Sequence, residues 1–589
     1  TSKSSCRHVS YVHNCINSFI CRTCINNNVF HSNIPPLIII FLLLFLLTNL
    51  SFAQNDLSST DKISAWTKTW GFLKFFHPTV THGTIDWDSV FVSQLDSLQN
   101  IKTKEQLNVH FIDLINDLNK QTELNRNSKD AMFIENILSD FDDKGLFSDE
   151  LNEAFRNVAL QRISGENRFI AFDKELNYPL FLEINNETSL PTLNYRLLAL
   201  ARIWSTVEFF FPHKNSTLTT NWNVVLKNQI PVFENATDSL AYFKAIASTL
   251  YELNDSHSAF LMHTNNYHPY GDKVFPYSFM LVDGNLFLKA KYQIPVEFSD
   301  KDFDKLEYND MIQSIDGKPV SEMVTDYEKY ISGSHKASRD KFVAFEMRRG
   351  WNAISEVIVL RNNELKTLRI PRVPSSSSLN FIEDRFKQQK KWSIIDDQVG
   401  IIQPREISMK EFDKAFKELK KTKALIIDLR NSINQELSFH FFDDYFSTER
   451  KQFFHYETLS KEIPGRFHQT FDSSFTGKNQ KIKYEGKLIF LINENIQSSG
   501  ETKTATFKTY PNTIFIGSPT AGTNGEATVI SLPGGYKFRM TSAKITYMDG
   551  NSSVGKGIQP DIFVVPTKDG LLQNQDEVLQ KAIDYAKSL

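Results

Sequence analysis

Apolar residues at Leu197, Leu200, Trp204, Val207 and Phe211 recur at steps of three and four, the spacing of one helix face, and Pro212 stops the pattern. A similar segment lies upstream. Trp70-Gly-Phe-Leu-Lys-Phe-Phe-His-Pro78 precedes Asp86-Trp87-Asp88, just as Trp204-Ser-Thr-Val-Glu-Phe-Phe-Phe-Pro212 precedes Asn221-Trp222-Asn223, so the first half reads as a helical repeat. From Tyr270 the pattern changes to short strands and turns. After the serine run Pro374 to Ser378, a linker by composition, buried-strand runs at Ala424 to Leu429, Leu488 to Ile492 and Thr513 to Ile516 alternate with helical segments such as Phe412, Phe416 and Leu419. That alternation predicts a mostly parallel sheet covered by helices, with chemistry at the carboxyl ends of its strands.

A length of 589 residues allows three or four domains of about 150 residues each. With 66 basic and 69 acidic side chains and a net charge of −3, no strongly basic surface is expected, so nucleic acid and anionic membrane are set aside as partners. The uncharged run Leu37 to Leu47, followed by Ser51-Phe52-Ala53, reads as a signal peptide with its cleavage site. It falls short of the roughly 20 residues of a membrane span, which implies export without a stable span. All four cysteines, Cys6, Cys15, Cys21 and Cys24, lie in that leader. The exported chain is then expected to lack disulfides, thiol nucleophiles and cysteine-bound metal, and no metal or cofactor is expected. His77 and His213, at helix ends, read as capping or packed side chains.

Ser498 follows the strand run Leu488 to Ile492 and precedes a helical stretch, where free N–H groups and the positive helix end favour an oxyanion. Ser498-x-x-Glu501 is also a capping box, the commoner meaning of that pattern.

Ser498-Ser-Gly-Glu501, Gly517-Ser-Pro-Thr-Ala-Gly522, Leu532-Pro-Gly-Gly535 and Gly557-Ile-Gln-Pro-Asp561, after Val399 to Ile402 and Ala424 to Arg430, resemble in order and spacing the tail-specific (C-terminal-processing) serine peptidase family. Leu306 to Val320 resembles the core of a PDZ domain. The resemblance implies a multidomain α+β chain with N-terminal helical repeats, a PDZ-like β module and a C-terminal ClpP/crotonase-like α/β catalytic domain. The expected divisions are a leader at 1–53, a mostly helical domain at 54–190, a second helical segment at 191–262, a PDZ-like domain at 263–373 and the α/β domain at 379–589.

Carried over by position, the resemblance implies Ser498 as nucleophile and the Ser499 N–H as one oxyanion donor. Where the processing branch has a lysine base this chain has Thr523, whereas Asp255-Ser256-His257-Ser258 resembles the histidine site of the tricorn-like branch. His257 is then the base, with Ser256 or Asp255 fixing its tautomer. Ile433 and Asn434 stand where the family sets the glycines of the second oxyanion donor, and Val554 stands where the tricorn-like branch has an acid. The expected function is an exported, periplasmic or extracellular, serine peptidase acting on peptides or unfolded protein ends. The alternatives are an inactive binding protein on the same scaffold and a hydrolase of small esters.

Overall fold

The computed structural model describes residues 57–120, 141, 145–161, 167–183, 187–294, 303–388, 390–431, 433–470, 475–477 and 483–589. The leader, with its cysteines and the run Leu37 to Leu47, lies outside the described residues, as does Ser432.

Two long helices, α1 (Ser59–Phe76) and α3 (Leu193–Phe210), carry the two tryptophan segments; α2 (Trp87–Leu98) and α4 (Trp222–Glu234) follow them. Within each pair the indole of the second tryptophan donates back to the first: Trp87 Nε1 to the Trp70 carbonyl at 3.1 Å, and Trp222 Nε1 to the Trp204 carbonyl at 3.0 Å. The one-face expectation for α3 is too narrow. Leu198, Ala199, Ala201 and Ile203 are as buried as Leu197, Leu200 and Trp204, because α1, α2 and α4 pack around α3. At the crossing of α1 and α3, a Cβ built on Gly71 would lie 2.6 Å from Ser205 Cβ, so glycine permits the approach. Helix α5 (Ser239–Tyr251) ends this region, and the chain enters a 3₁₀ turn at Ser256–Ala259.

The middle of the chain is an antiparallel sheet. Strands β1 (Tyr277–Val282), β2 (Asn285–Tyr292), β3 (Met311–Ile315), β4 (Ile354–Arg361), β5 (Glu364–Pro371) and β6 (Phe381–Asp384) run in the order β5-β4-β3-β2-β6, with β1 paired to β2 alone. Helices α6 (Val320–Tyr327) and α7 (Lys336–Glu346) pack on it. After β3 the chain turns through Asp316 and Gly317, both at positive φ. Two boundaries differ from expectation. Strand β6 joins this sheet beyond residue 373, and the serine run is pinned, with Ser375 N–H donating to the Asp272 carbonyl.

The C-terminal region holds the expected parallel sheet. Strands β7 (Trp392–Ile395), β8 (Val399–Ile402), β9 (Ala424–Asp428), β10 (Lys487–Ile492), β11 (Thr513–Gly517) and β14 (Ile562–Phe563) lie in that order, with only β7 antiparallel to its neighbour. Separate apolar cores cover its faces. One takes in Phe412 and Phe416 of α8 (Met409–Leu419) and Phe507 of α9 (Ser499–Phe507); the other takes in Val578 and Ala582 of α10 (Glu577–Lys587). A hairpin, β12 (Ala527–Ser531) and β13 (Tyr536–Thr541), leaves this sheet and joins the helical core through Ile530, Leu532, Phe538 and Met540. It also pairs Tyr536 with His263, just after the 3₁₀ turn. The hairpin thus brings Thr541 to the segment bearing His257.

Candidate active site

Ser498 sits between β10 and α9 with φ 54° and ψ −119°, a conformation that disfavours any residue with a Cβ. At the start of the helix the Glu501 N–H bonds the Ser498 carbonyl at 2.8 Å. The Glu501 carboxylate returns to the Ser498 N–H at 3.2 Å. Ser499 is the first residue of α9, so its N–H is one of the donors a helix leaves without an intrahelical acceptor.

Glu501 is fully buried and accepts three further bonds, from Thr520 Oγ1 at 2.6 Å and from the N–H groups of Gly522 and Thr523 at 2.9 Å each. Burial pushes its carboxyl up to about 7 although these bonds pull the other way. One carboxylate therefore joins the turn at Ser498 to the loop at Thr523.

Thr523 Oγ1 in turn lies 2.9 Å from His257 Nδ1, and Thr541 Oγ1 lies 2.8 Å from the same nitrogen. Both hydroxyls donate to Asp255 Oδ1, at 2.5 and 3.0 Å. Where each hydroxyl gives its one proton to the Asp255 carboxylate, its oxygen accepts from an Nδ1–H. That arrangement puts the imidazole proton on Nδ1 and the lone pair on Nε2. Asp255 also accepts from the Thr541 N–H at 2.7 Å and the His257 N–H at 3.0 Å. Burial lowers the His257 pKa below the usual imidazole value, partly offset by Asp255 and reinforced by Arg539 and Lys341, so the ring favours its neutral form.

Other candidate positions behave differently. Ser256 Oγ donates to the Ala521 carbonyl at 3.0 Å and accepts from the Ser334 N–H at 3.0 Å, so it anchors the loop rather than orienting the imidazole. The Asn434 N–H donates to the Pro404 carbonyl at 3.0 Å, which takes it out of use as an oxyanion donor. The Ile433 side chain packs against the core on the α8 face of the sheet. Val554 is buried and bridges Thr523 through the backbone. His77 Nδ1 accepts from the Thr79 N–H at 3.2 Å, and His213 contacts Ser552 Oγ at 3.0 Å. Among the described residues no cluster of three metal-ligating side chains forms.

The sequence from β8 through β14 matches the family model described as Peptidase family S41, over residues 398–564. This region is similar to S41 peptidase domains. No curated protein matches the chain. Among solved structures, mature CPAF complexed with lactacystin is 12% identical with a TM-score of 0.50, covering 66% of this chain and 97% of that one. Mature CPAF gives 12%, 0.50, 66% and 96%. A CPAF mutant gives 12%, 0.51, 66% and 96%. At this identity the likeness is one of fold. The matched region holds Ser498 and Thr523, while Asp255 and His257 lie outside it.

The threonines were not foreseeable as site residues. The position of Thr523 is legible as the absence of a lysine, and a lone threonine hydroxyl carries no signal in sequence.

Proposed function

We propose that this protein is an exported serine peptidase of the tricorn-like, PDZ-bearing kind, with Ser498 as nucleophile and His257 as general base. The observation that carries this reading is the proton arrangement at His257: Nδ1 faces the hydroxyls of Thr523 and Thr541, which leaves Nε2 as the basic nitrogen. The S41 match supports peptide-bond hydrolysis, and the shared Glu501 carboxylate supports a common site for Ser498 and the Thr523 loop.

In this mechanism Ser498 Oγ attacks the carbonyl carbon as its proton passes to His257 Nε2. The Ser499 N–H and the helix N-terminus stabilise the oxyanion. Collapse expels the amine, which takes the proton from Nε2; water then hydrolyses the acyl ester by the same route in reverse. Asp255, through the two threonines, stabilises the imidazolium that forms. The β1 to β6 sheet, with its strand-turn pattern at Met311–Pro319, is the PDZ-like module that would present the peptide. Export rests on the Leu37 to Leu47 run and the Ser51-Phe52-Ala53 site. No helix of the described residues is long and apolar enough to cross a membrane.

The rival reading, a binding protein without turnover, draws on one observation: the Asn434 N–H is committed to Pro404. A fluorophosphonate probe separates the two. The peptidase reading expects labelling of the wild type, none in Ser498→Ala and at least tenfold slower labelling in His257→Ala. Absence of labelling in the wild type would favour the binding protein.

A further inference from the structure

A cavity of about 190 Å³ lies between the edge strand β1, helix α7 and the carboxyl ends of the parallel strands, with Phe279, Leu281, Ile492 and Val564 in its wall. Two lysines reach it, Lys289 from β2 and Lys341 from α7. Lys289 Nζ donates to Asn495 Oδ1 at 2.7 Å; Lys341 Nζ donates to the Glu494 carbonyl and to Gln497 Oε1, both at 3.0 Å. All three acceptors are neutral. Among the described residues, no carboxylate stands within 4.0 Å of either ammonium.

The other charged groups lining the cavity are mostly engaged. Arg430 is held by Asp428 and Asp576, Asp340 pairs with Lys336, and the Glu494 carboxylate accepts from Ser518 Oγ at 3.0 Å. Asp283 sits exposed in the turn after β1. Burial lowers the pKa of both lysines, that of Lys341 to about 8; Asp384 and Glu494 partly offset this at Lys289, and Glu494 and Glu501 partly offset it at Lys341.

The cavity adjoins the candidate active site, because Gln497, which holds Lys341, immediately precedes Ser498. Strand β1 is paired on one side only, by β2, and α7 packs against it. A peptide added to that edge would send alternate side chains toward α7.

We infer that Lys289 and Lys341 form a subsite for an acidic side chain, Asp or Glu, of the substrate peptide. The inference rests on the peptidase reading of Ser498, and its test is built on binding so that the two can fail separately. Ser498→Ala protein is titrated with a peptide series in which each position carries Asp or Asn, with free or amidated carboxyl terminus. One position is expected where Asp→Asn raises Kd about tenfold or more, the size of a lost charge-assisted hydrogen bond. That penalty should disappear when Lys289→Met and Lys341→Met are added. It should also shrink in Asn495→Asp, which gives Lys289 an internal counter-ion while leaving both lysines in place; melting curves establish that each variant is folded. Equal binding of Asp and Asn peptides at every position overturns the inference. So does a preference that survives in the lysine variants, or one that depends only on the free carboxyl terminus. Cleavage of the same peptides by wild type is scored separately: no cleavage with intact acid-dependent binding removes the peptidase reading and leaves the subsite.

Discussion

Asp255 and His257 face each other across a gap: 3.9 Å separates Oδ1 from Nδ1, and the hydroxyls of Thr523 and Thr541 occupy it. The carboxylate acts on the imidazole through them. Thr523→Val removes one hydroxyl at nearly constant volume, and kcat is expected to fall about tenfold with little change in KM. The double variant with Thr541→Val, or Asp255→Asn, should cost about 100-fold, because the tautomer is then no longer enforced. Steady-state kinetics on a cleaved peptide tests this. A fall confined to KM would assign the threonines to substrate binding instead. In pH profiles, the lowered pKa of His257 predicts that kcat/KM keeps its plateau below pH 6.5.

Glu501 makes stability depend on pH in a defined direction. Its folded pKa of about 7 lies above the ordinary 4.5, so between these values the folded protein holds a proton that the unfolded chain has released. Stability from this group is fully present below pH 4.5, declines as pH rises toward 7 and is flat above. Denaturant unfolding from pH 4.5 to 8 should show that decline in wild type and a shallower one in Glu501→Gln. Identical slopes in both proteins would show that Glu501 is not the titrating group.

The backbone at Ser498 stores strain that glycine would relieve. Ser498→Gly and Ser498→Ala should both be inactive, yet the glycine variant should be the more stable by about 1 kcal/mol, since φ 54° costs little without a Cβ. Equal chemical denaturation midpoints would mean that the turn relaxes in the variants.

At the α1–α3 crossing, Gly71→Ala places a methyl 2.6 Å from Ser205 Cβ and must move the helices apart. Overpacking of this kind costs about 1–3 kcal/mol, against a gain of up to about 1 kcal/mol in helix propensity. A lower Tm is expected, with recovery when Ser205→Gly is added. Gly71→Ala that melts at or above the wild-type temperature would refute the tight crossing.

How much of this was legible in the sequence depends on the range over which each feature is encoded. The parallel strands are local apolar runs, and β9, β10 and β11 fall within a residue or so of the expected bounds. The position of Ser498 follows from a strand run meeting a helix start, whereas its positive φ does not, because a serine there looks like an ordinary cap. Asp255 and His257 were reachable only through a resemblance. Thr541 was beyond reach: its place is set by a hairpin whose apolar face belongs to a core built far earlier in the chain. The error at Asn434 has a similar cause, since position alone does not say which way an N–H points.

That hairpin also decides what can be isolated. A fragment beginning at residue 379 would carry Ser498 and Thr523 but leave Ile530, Leu532, Phe538 and Met540 with nothing to cover them. The helical half alone would keep His257 while losing both hydroxyls that orient it. Neither piece is a self-sufficient module, and coexpressed halves would recover a working unit only by reassembling around β12 and β13.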